Sequence, residues 1–206
     1  MTEPAFPLFG GRSCLNLVAT LGKRHAEPVE RIPDPAALDD WLVVAGLLTA
    51  RPAVTDGQLR RTRNLREAVN RLARATMAGQ TWAGADVALV NDVAARPDLA
   101  PQLRSGSKGP HDPNGPVGSG GPGASDDSHR AAGNPVDAAL ASVARDAVLL
   151  LTGGRANRIK ECEHADCSLL FFDDSQSGAR RWCSMDRCGN LAKIAGYRNR
   201  VRSRRS

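Results

Sequence analysis

The chain has 206 residues, 41% of them apolar, which allows one ordinary domain with a buried core and a small additional module. Aromatic residues make up only 4%, which argues against a large β-sandwich, and no segment approaches the apolar length that spans a bilayer. Net charge is +6, and residues 155–206 alone carry twelve Lys/Arg against six Asp/Glu, so the first 154 residues are neutral and the whole excess lies at the C-terminal end.

The N-terminal stretch MTEPAFPLFGGRS has an acid at Glu3, no early basic cluster and no uninterrupted apolar run. Nothing in it directs export, and a soluble, cytoplasmic protein is expected. Cys14 to Val18, behind a Gly10-Gly11 turn, reads as a short β-prone segment. A polar connector, Gly22 to Arg31, follows. Asp34 can then cap a helix with Pro35 in its first position, and Leu38, Trp41, Leu42 and Ala45 share the face to be buried before Gly46 ends it.

After the break at Pro52, Thr55-Asp-Gly-Gln58 has the form of a capping box opening a second helix. Leu65, Ala68, Val69, Leu72 and Ala75 repeat on one side of it. Arg60, Arg63, Arg66, Arg71 and Arg74 lie largely off that stripe and read as a solvated face rather than an anion site, because acids in the same region balance them. Asp86 to Ala95 forms a shorter helix with Val87, Val90, Val93 and Ala94 inward, ended by Pro97.

Ser105 to Asn134 contains no Leu, Ile, Phe, Trp or Tyr and cannot bury enough apolar surface to offset its ordering entropy, so a mobile loop is expected. Its Gly118-Ser-Gly120-Gly-Pro-Gly123 matches G-x-G-x-x-G in letters only. A dinucleotide site needs a strand before that motif and a helix after it, and neither flank is present. His111 and His129, in the same loop, have no acid or second ligand in view. Asn134-Pro135 opens another helix, through about Leu151, with Val136, Ala139, Leu140, Val143, Ala147 and Leu150 on one face. Its apolar end, Val148 to Leu151, suggests deep burial, and Gly153-Gly154 ends it as a hinge. Residues 1–152 therefore read as a mainly helical domain with a short N-terminal β segment, interrupted by a flexible Gly/Pro-rich loop at 105–134.

Cys162, Cys167, Cys183 and Cys188 follow the pattern C-x4-C-x15-C-x4-C. Two ligand knuckles joined by a connector long enough for a hairpin offer four thiolates, which suit tetrahedral Zn²⁺ in a closed, structural site. The alternatives are two disulfides, which need an oxidising compartment and leave Cys14 without a partner, four unrelated thiols, or replacement of one cysteine by His164. Ser168 to Phe172 is a strand candidate, Asp173 to Gly178 a turn, and Arg180 to Trp182 the returning strand; the second cysteine pair then starts a terminal helix. That layout, residues 155–206, is a treble-clef-like finger, and so small a module needs its metal to fold. Arg181 and Arg187 would favour the thiolate state.

A helix from Gly189 places Leu191, Ile194 and Val201 on one side, to dock on the hairpin, and Lys193, Tyr197, Arg200 and Arg204 on another. From Arg180 onward there are nine basic residues and only Asp186 as an acid. Arginine forks pair with phosphates and guanine edges, so Arg180, Arg181, Arg187, Lys193, Tyr197, Arg198, Arg200, Arg202 and Arg204 are candidate nucleic-acid contacts. A solvated Arg-Ser tail after Val201 is the competing reading, and it would still attract phosphate.

The run Arg180-Arg-Trp-Cys-Ser-Met185 through Cys188-Gly-Asn190, with Cys162, Cys167 and Phe172-Asp173 before it, resembles the CGNR zinc finger. Cys14-Leu-Asn-Leu-Val-Ala-Thr20 and Pro35 to Leu47 more loosely resemble the ABATE domain that accompanies that finger. Leu191 stands where the name-giving arginine would be, and Asn16 and Ala19 where the family usually has Asp and Asn. The resemblance implies a transcription regulator: a helical domain that senses a small-molecule effector, and a one-zinc finger that binds double-stranded DNA. Self-association of the helical domain fits the same picture, and a membrane role does not. A zinc-scaffolded adaptor for protein or RNA is the alternative. No nucleophile–base pair, paired carboxylates or open metal site can be recognised, so an enzyme is not expected.

Overall fold

In the computed structural model, residues 5–101, 129–131 and 133–194 are described, with main chain alone at 100, 101 and 129–131. Five α-helices carry most of it: α1 (Ser13–Val18), α2 (Pro35–Val44), α3 (Asp56–Met77), α4 (Gly84–Ala94) and α5 (Pro135–Thr152). Three short antiparallel pairs join them: β1 (Leu21–Gly22) with β2 (Val29–Glu30), β3 (Leu99–Pro101) with β4 (His129–Ala131), and β5 (Ile159–Glu161) with β6 (Leu170–Phe172). No described helix is long and apolar enough to cross a membrane.

Local signals start the helices where the sequence places them. Asp34 accepts the N–H of Ala37 at 2.8 Å, and Thr55 and Gln58 form the reciprocal capping box. Asn134 accepts from Val136 and Asp137 at 3.0 and 3.2 Å. Its side-chain oxygen also takes a hydrogen bond from Gln58 at 2.8 Å, so the starts of α3 and α5 are tied together. Helices α1, α3, α4 and α5 pack around one core centred on Leu15, Leu65, Val69, Ala139 and Val143. At the far end of α5, Leu150 and Leu151 are buried as expected, but Leu149 points outward and is 68% exposed.

Cys14 to Val18 is helical, not extended, which corrects the β reading. Five residues, Cys-Leu-Asn-Leu-Val, are too few to show a decisive period, and here non-local contacts choose. Asp146 of α5 accepts the N–H of Cys14 at 2.9 Å and pairs with Arg12 at 2.6 Å, placing an anion at the first turn of α1. Cys14, Leu15, Leu17 and Val18 are then all buried. The N-terminal β segment instead lies in the supposed connector, as the β1–β2 hairpin. His129, expected in the long loop, falls within β4, opposite Pro101. The greater part of the expected loop, including His111 and the glycine motif, lies outside the described residues.

Of the α3 arginines read as a solvated face, Arg60 is exposed, but the other four are engaged with the fold. Arg66 is 4% exposed and forks onto Glu30 at 2.7 and 2.8 Å while its Nε reaches Glu67 at 2.8 Å. Arg63 donates to the carbonyls of Ile32 and Pro33, both at 2.8 Å, and Arg71 forks onto the buried Asp86 at 2.6 and 2.9 Å. Arg74 reaches Glu161 in β5. The charge on this helix binds elements of the fold to one another.

Strand β6 explains why Leu-Leu-Phe-Phe is apolar without alternation. Successive side chains of a strand point to opposite faces. Leu170 enters the helical core, and Ile159 of β5 with it; Phe171, on the other face, packs among the four cysteines. The partner of β6 is β5, in the register Ile159 to Phe172, Lys160 to Phe171 and Glu161 to Leu170, and not Arg180–Trp182. The hairpin thus flanks the first cysteine knuckle instead of following it.

Candidate metal centre

The β5–β6 turn presents the first two cysteines. The N–H of Cys162 donates to Leu169 O at 3.0 Å and that of Cys167 to His164 O at 2.9 Å, so the knuckle is closed by its own main chain. Cys183 and Cys188 come from the other side, the latter inside a π-helical turn, Met185–Gly189, that continues as helix through Ile194. A Cβ on Gly189 would lie 2.9 Å from Met185 Sδ and 3.3 Å from Trp182 Cδ1, so a side chain there would displace the end of the half-exposed Met185.

All four Sγ atoms lie within 4.8 Å of one another, and every cysteine is buried. Cys167 and Cys183 Sγ are 3.9 Å apart, Cys183 and Cys188 Sγ 3.6 Å. With Zn–S bonds of about 2.3 Å, the edge of a ZnS₄ tetrahedron is about 3.8 Å. The cluster fits one structural zinc ion, with all four positions taken by protein. His164 is not part of it; its Nδ1 accepts the N–H of Asp166 at 3.3 Å.

The thiols act on one another electrostatically. Hydrogen bonds from Cys167 and Cys183 hold Cys162 far below the usual thiol range. Hydrogen bonding to Cys162 pushes Cys167 and Cys183 upward, and burial, with the charges of Cys167 and Cys162, pushes Cys188 up to about 12. Four protein thiols this close cannot all ionise unaided. A dication among them supplies the compensating charge, and its binding displaces protons.

Around the ligands is a shell that spacing alone does not reveal. Asp173 is fully buried: Oδ1 accepts from Ser175 N–H at 3.1 Å and its hydroxyl at 2.6 Å, Oδ2 from Lys160 at 2.8 Å and the Arg180 N–H at 2.9 Å. Burial opposes its ionisation, but these donors outweigh it and hold the carboxyl well below the ordinary range. On the other side, Glu161 meets Arg74 and His25, Ser168 Oγ accepts the Arg24 N–H at 2.8 Å, and Phe172 N–H donates to Gly10 O at 2.8 Å. The metal centre is therefore fastened to α3, to the β1–β2 turn and to the chain before α1.

A family model described as "ABATE: Putative stress-induced transcription regulator" matches residues 11–154, and one for the CGNR zinc finger matches residues 158–201. The chain belongs to the ABATE family. No curated protein matches it. Asn16 Oδ1 accepts the Gly10 N–H at 2.9 Å, and Ala19 lies against the cysteine cluster.

Within the CGNR finger the basic candidates divide. Arg180 stacks on Phe171 at 4.8 Å, donates to Trp182 O at 2.9 Å and also to Cys183 O. Arg181 pairs with Glu163 at 2.6 Å and covers Trp182, while its side chain stays 63% exposed. Arg187 is half-buried and partnered, and Lys193 is exposed. Tyr197, Arg198, Arg200, Arg202 and Arg204 lie outside the described residues. Leu191 and Ile194 do not dock on the hairpin as expected: each is 48% exposed, while Phe171 and Trp182 pack around the cysteines. Val201 lies outside the described residues. Sequence reasoning also missed Lys160, Glu161 and Asp173 as parts of the centre. For Lys160 and Glu161 the signal was a base and an acid beside the knuckle, which is common on any surface; Asp173 stood in the run that resembles the finger, but nothing there gave it a role.

Proposed function

We propose that this ABATE-family chain is a transcription regulator that binds double-stranded DNA through the C-terminal part of its zinc finger. Its helices would carry regulation, through a small-molecule effector or through self-association. Charge placement supports the reading: from Arg187 to Arg205 there are seven Lys/Arg and no acid. Arg63, Arg66, Arg71 and Arg74 of α3, by contrast, are engaged with acids and carbonyls of the fold. A phosphate backbone neutralised by such a stretch releases counterions, which makes binding steeply salt-dependent. The chain acts by binding, not as an enzyme, and works in the cytoplasm; a zinc site with four protein thiolates leaves no position for a substrate.

Fluorescence anisotropy with labelled duplex DNA over a salt series tests this, with Arg200→Ala/Arg204→Ala beside the parent. Affinity should fall by orders of magnitude between low and physiological salt, and the double variant should lose about two from the slope of log K on log salt. Salt-independent binding, or equal binding by the variant, refutes it.

A second reading has its own support. Met185, Leu191 and Ile194 are about half exposed on the finger, which favours docking of a protein partner, or an RNA adaptor role. Retention on single-stranded RNA or on protein, with none on duplex DNA, would select it.

A further inference from the structure

The segment from Ser175 to Arg181, which delivers Cys183 to the metal, has no strand or helix to hold it. Its anchors are Arg158, which donates to Ser175 O at 2.7 Å, Lys160, which donates to Gly178 O, the Glu163 N–H, which donates to Arg181 O at 3.0 Å, and one buried carboxylate. We propose that Asp173 is the positioning residue of the second half of the metal centre, acting through Lys160 and Arg180 on Cys183.

The connections are continuous. Asp173 leaves the end of β6, its own N–H bonded to Arg158 O at 2.8 Å. Through Oδ2 it holds the Arg180 N–H at 2.9 Å, and it holds Lys160, whose ammonium also reaches Arg180 O at 3.3 Å. Arg180 is thus gripped at both its main-chain N–H and its carbonyl. Its side chain, lying over Phe171, then donates to the carbonyls of Trp182 and Cys183. A chain of contacts therefore runs from β5 and β6, which carry the first knuckle, to the main chain of the third ligand. Both oxygens of Asp173 are saturated, each by two donors, as a wholly buried carboxylate requires. Nothing else among the described hydrogen bonds connects the Ser175–Arg180 turn to β6 through side chains. Partners that orient ligands without touching the metal commonly carry 10–100-fold of its affinity.

The test uses the full chain loaded with zinc, titrated against a chromophoric chelator, and the same protein loaded with Co²⁺, whose visible absorption reports thiolate geometry. Asp173→Asn is compared with the parent and with Asp174→Asn, which removes a neighbouring charge that is 76% exposed and reaches Arg180 only at 3.7 Å, leaving both main-chain grips on Arg180 in place. Zinc affinity should fall about 10–100-fold for Asp173→Asn and stay within about twofold for Asp174→Asn. The cobalt spectrum should change in the former alone. Should Asp173→Asn not fold, Arg180→Lys carries the test: it keeps the N–H that Asp173 binds and the positive charge, but cannot fork onto two carbonyls, and about a tenfold loss is expected. Parental zinc affinity in the variant that is measured, or a lowered melting temperature with parental affinity and cobalt spectrum, overturns the proposal.

Discussion

Glu161, the residue before the first ligand Cys162, is forked by Arg74 of helix α3 at 2.8 and 3.0 Å. His25 of the β1–β2 turn meets the same carboxylate at 2.6 Å. Helix, hairpin and metal knuckle converge on one side chain. Both partners of the fork are about a quarter to a third exposed, which limits its worth to about 1 kcal/mol. A double-mutant cycle with Arg74→Ala and Glu161→Gln, read by urea unfolding of the zinc-loaded protein, should show coupling of that size. Strict additivity would mean that the fork does not contribute.

Metal removal should be felt beyond the finger. Ile159 and Leu170 belong to the same core as Leu65 and Val143, so loosening the β5–β6 hairpin exposes helical core. Calorimetry of zinc-loaded and chelated protein should show the main helical transition moving down on chelation. A separate small transition that disappears while the helical one stays in place would contradict the shared core.

Acid should destabilise the helical part through identifiable carboxylates. Burial opposes the ionisation of Glu67, but donation from Arg24 at 2.7 Å and Arg66 at 2.8 Å prevails and its pKa is lowered. The fork from Arg71 lowers Asp86 against the cost of its burial. A carboxyl depressed in the fold stabilises fully above its unfolded value, about pH 4, and loses that contribution as pH falls through the folded value. Urea midpoints should therefore drop below about pH 4, and the drop should be shallower in Glu67→Gln than in the parent. Because the cysteine cluster also releases metal in acid, zinc is measured in the same samples and the comparison confined to equal occupancy.

Leu191 offers a gain-of-function test. It is 48% exposed on the helix after Cys188, so Leu191→Arg, which restores the CGNR arginine, should fold as the parent does. If the finger binds DNA, this variant should bind tighter at low salt and add about one to the salt slope. Anisotropy titrations at three salt concentrations decide it, and unchanged affinity at all three would separate this surface from DNA.

What the sequence determined by itself was local or stoichiometric. Asp34, Thr55 with Gln58, and Asn134 cap their helices through groups two or three residues away, so each start could be read directly. The cysteine spacing needed only the coordination preference of zinc, and the basic surplus needed only counting. The tertiary structure decided what depends on distant partners. Cys14 to Val18 became a helix because Asp146, more than a hundred residues on, meets its first turn. β6 took β5 rather than the chain after it, because Leu170 and Ile159 share a core that a later strand would not reach. Arg66 and Arg74 of α3 turned inward to acids 36 and 87 positions away, Glu30 and Glu161. Asp173, which looks like a turn residue in the sequence, is buried because four donors from three separate positions surround it, and no local pattern encodes that convergence.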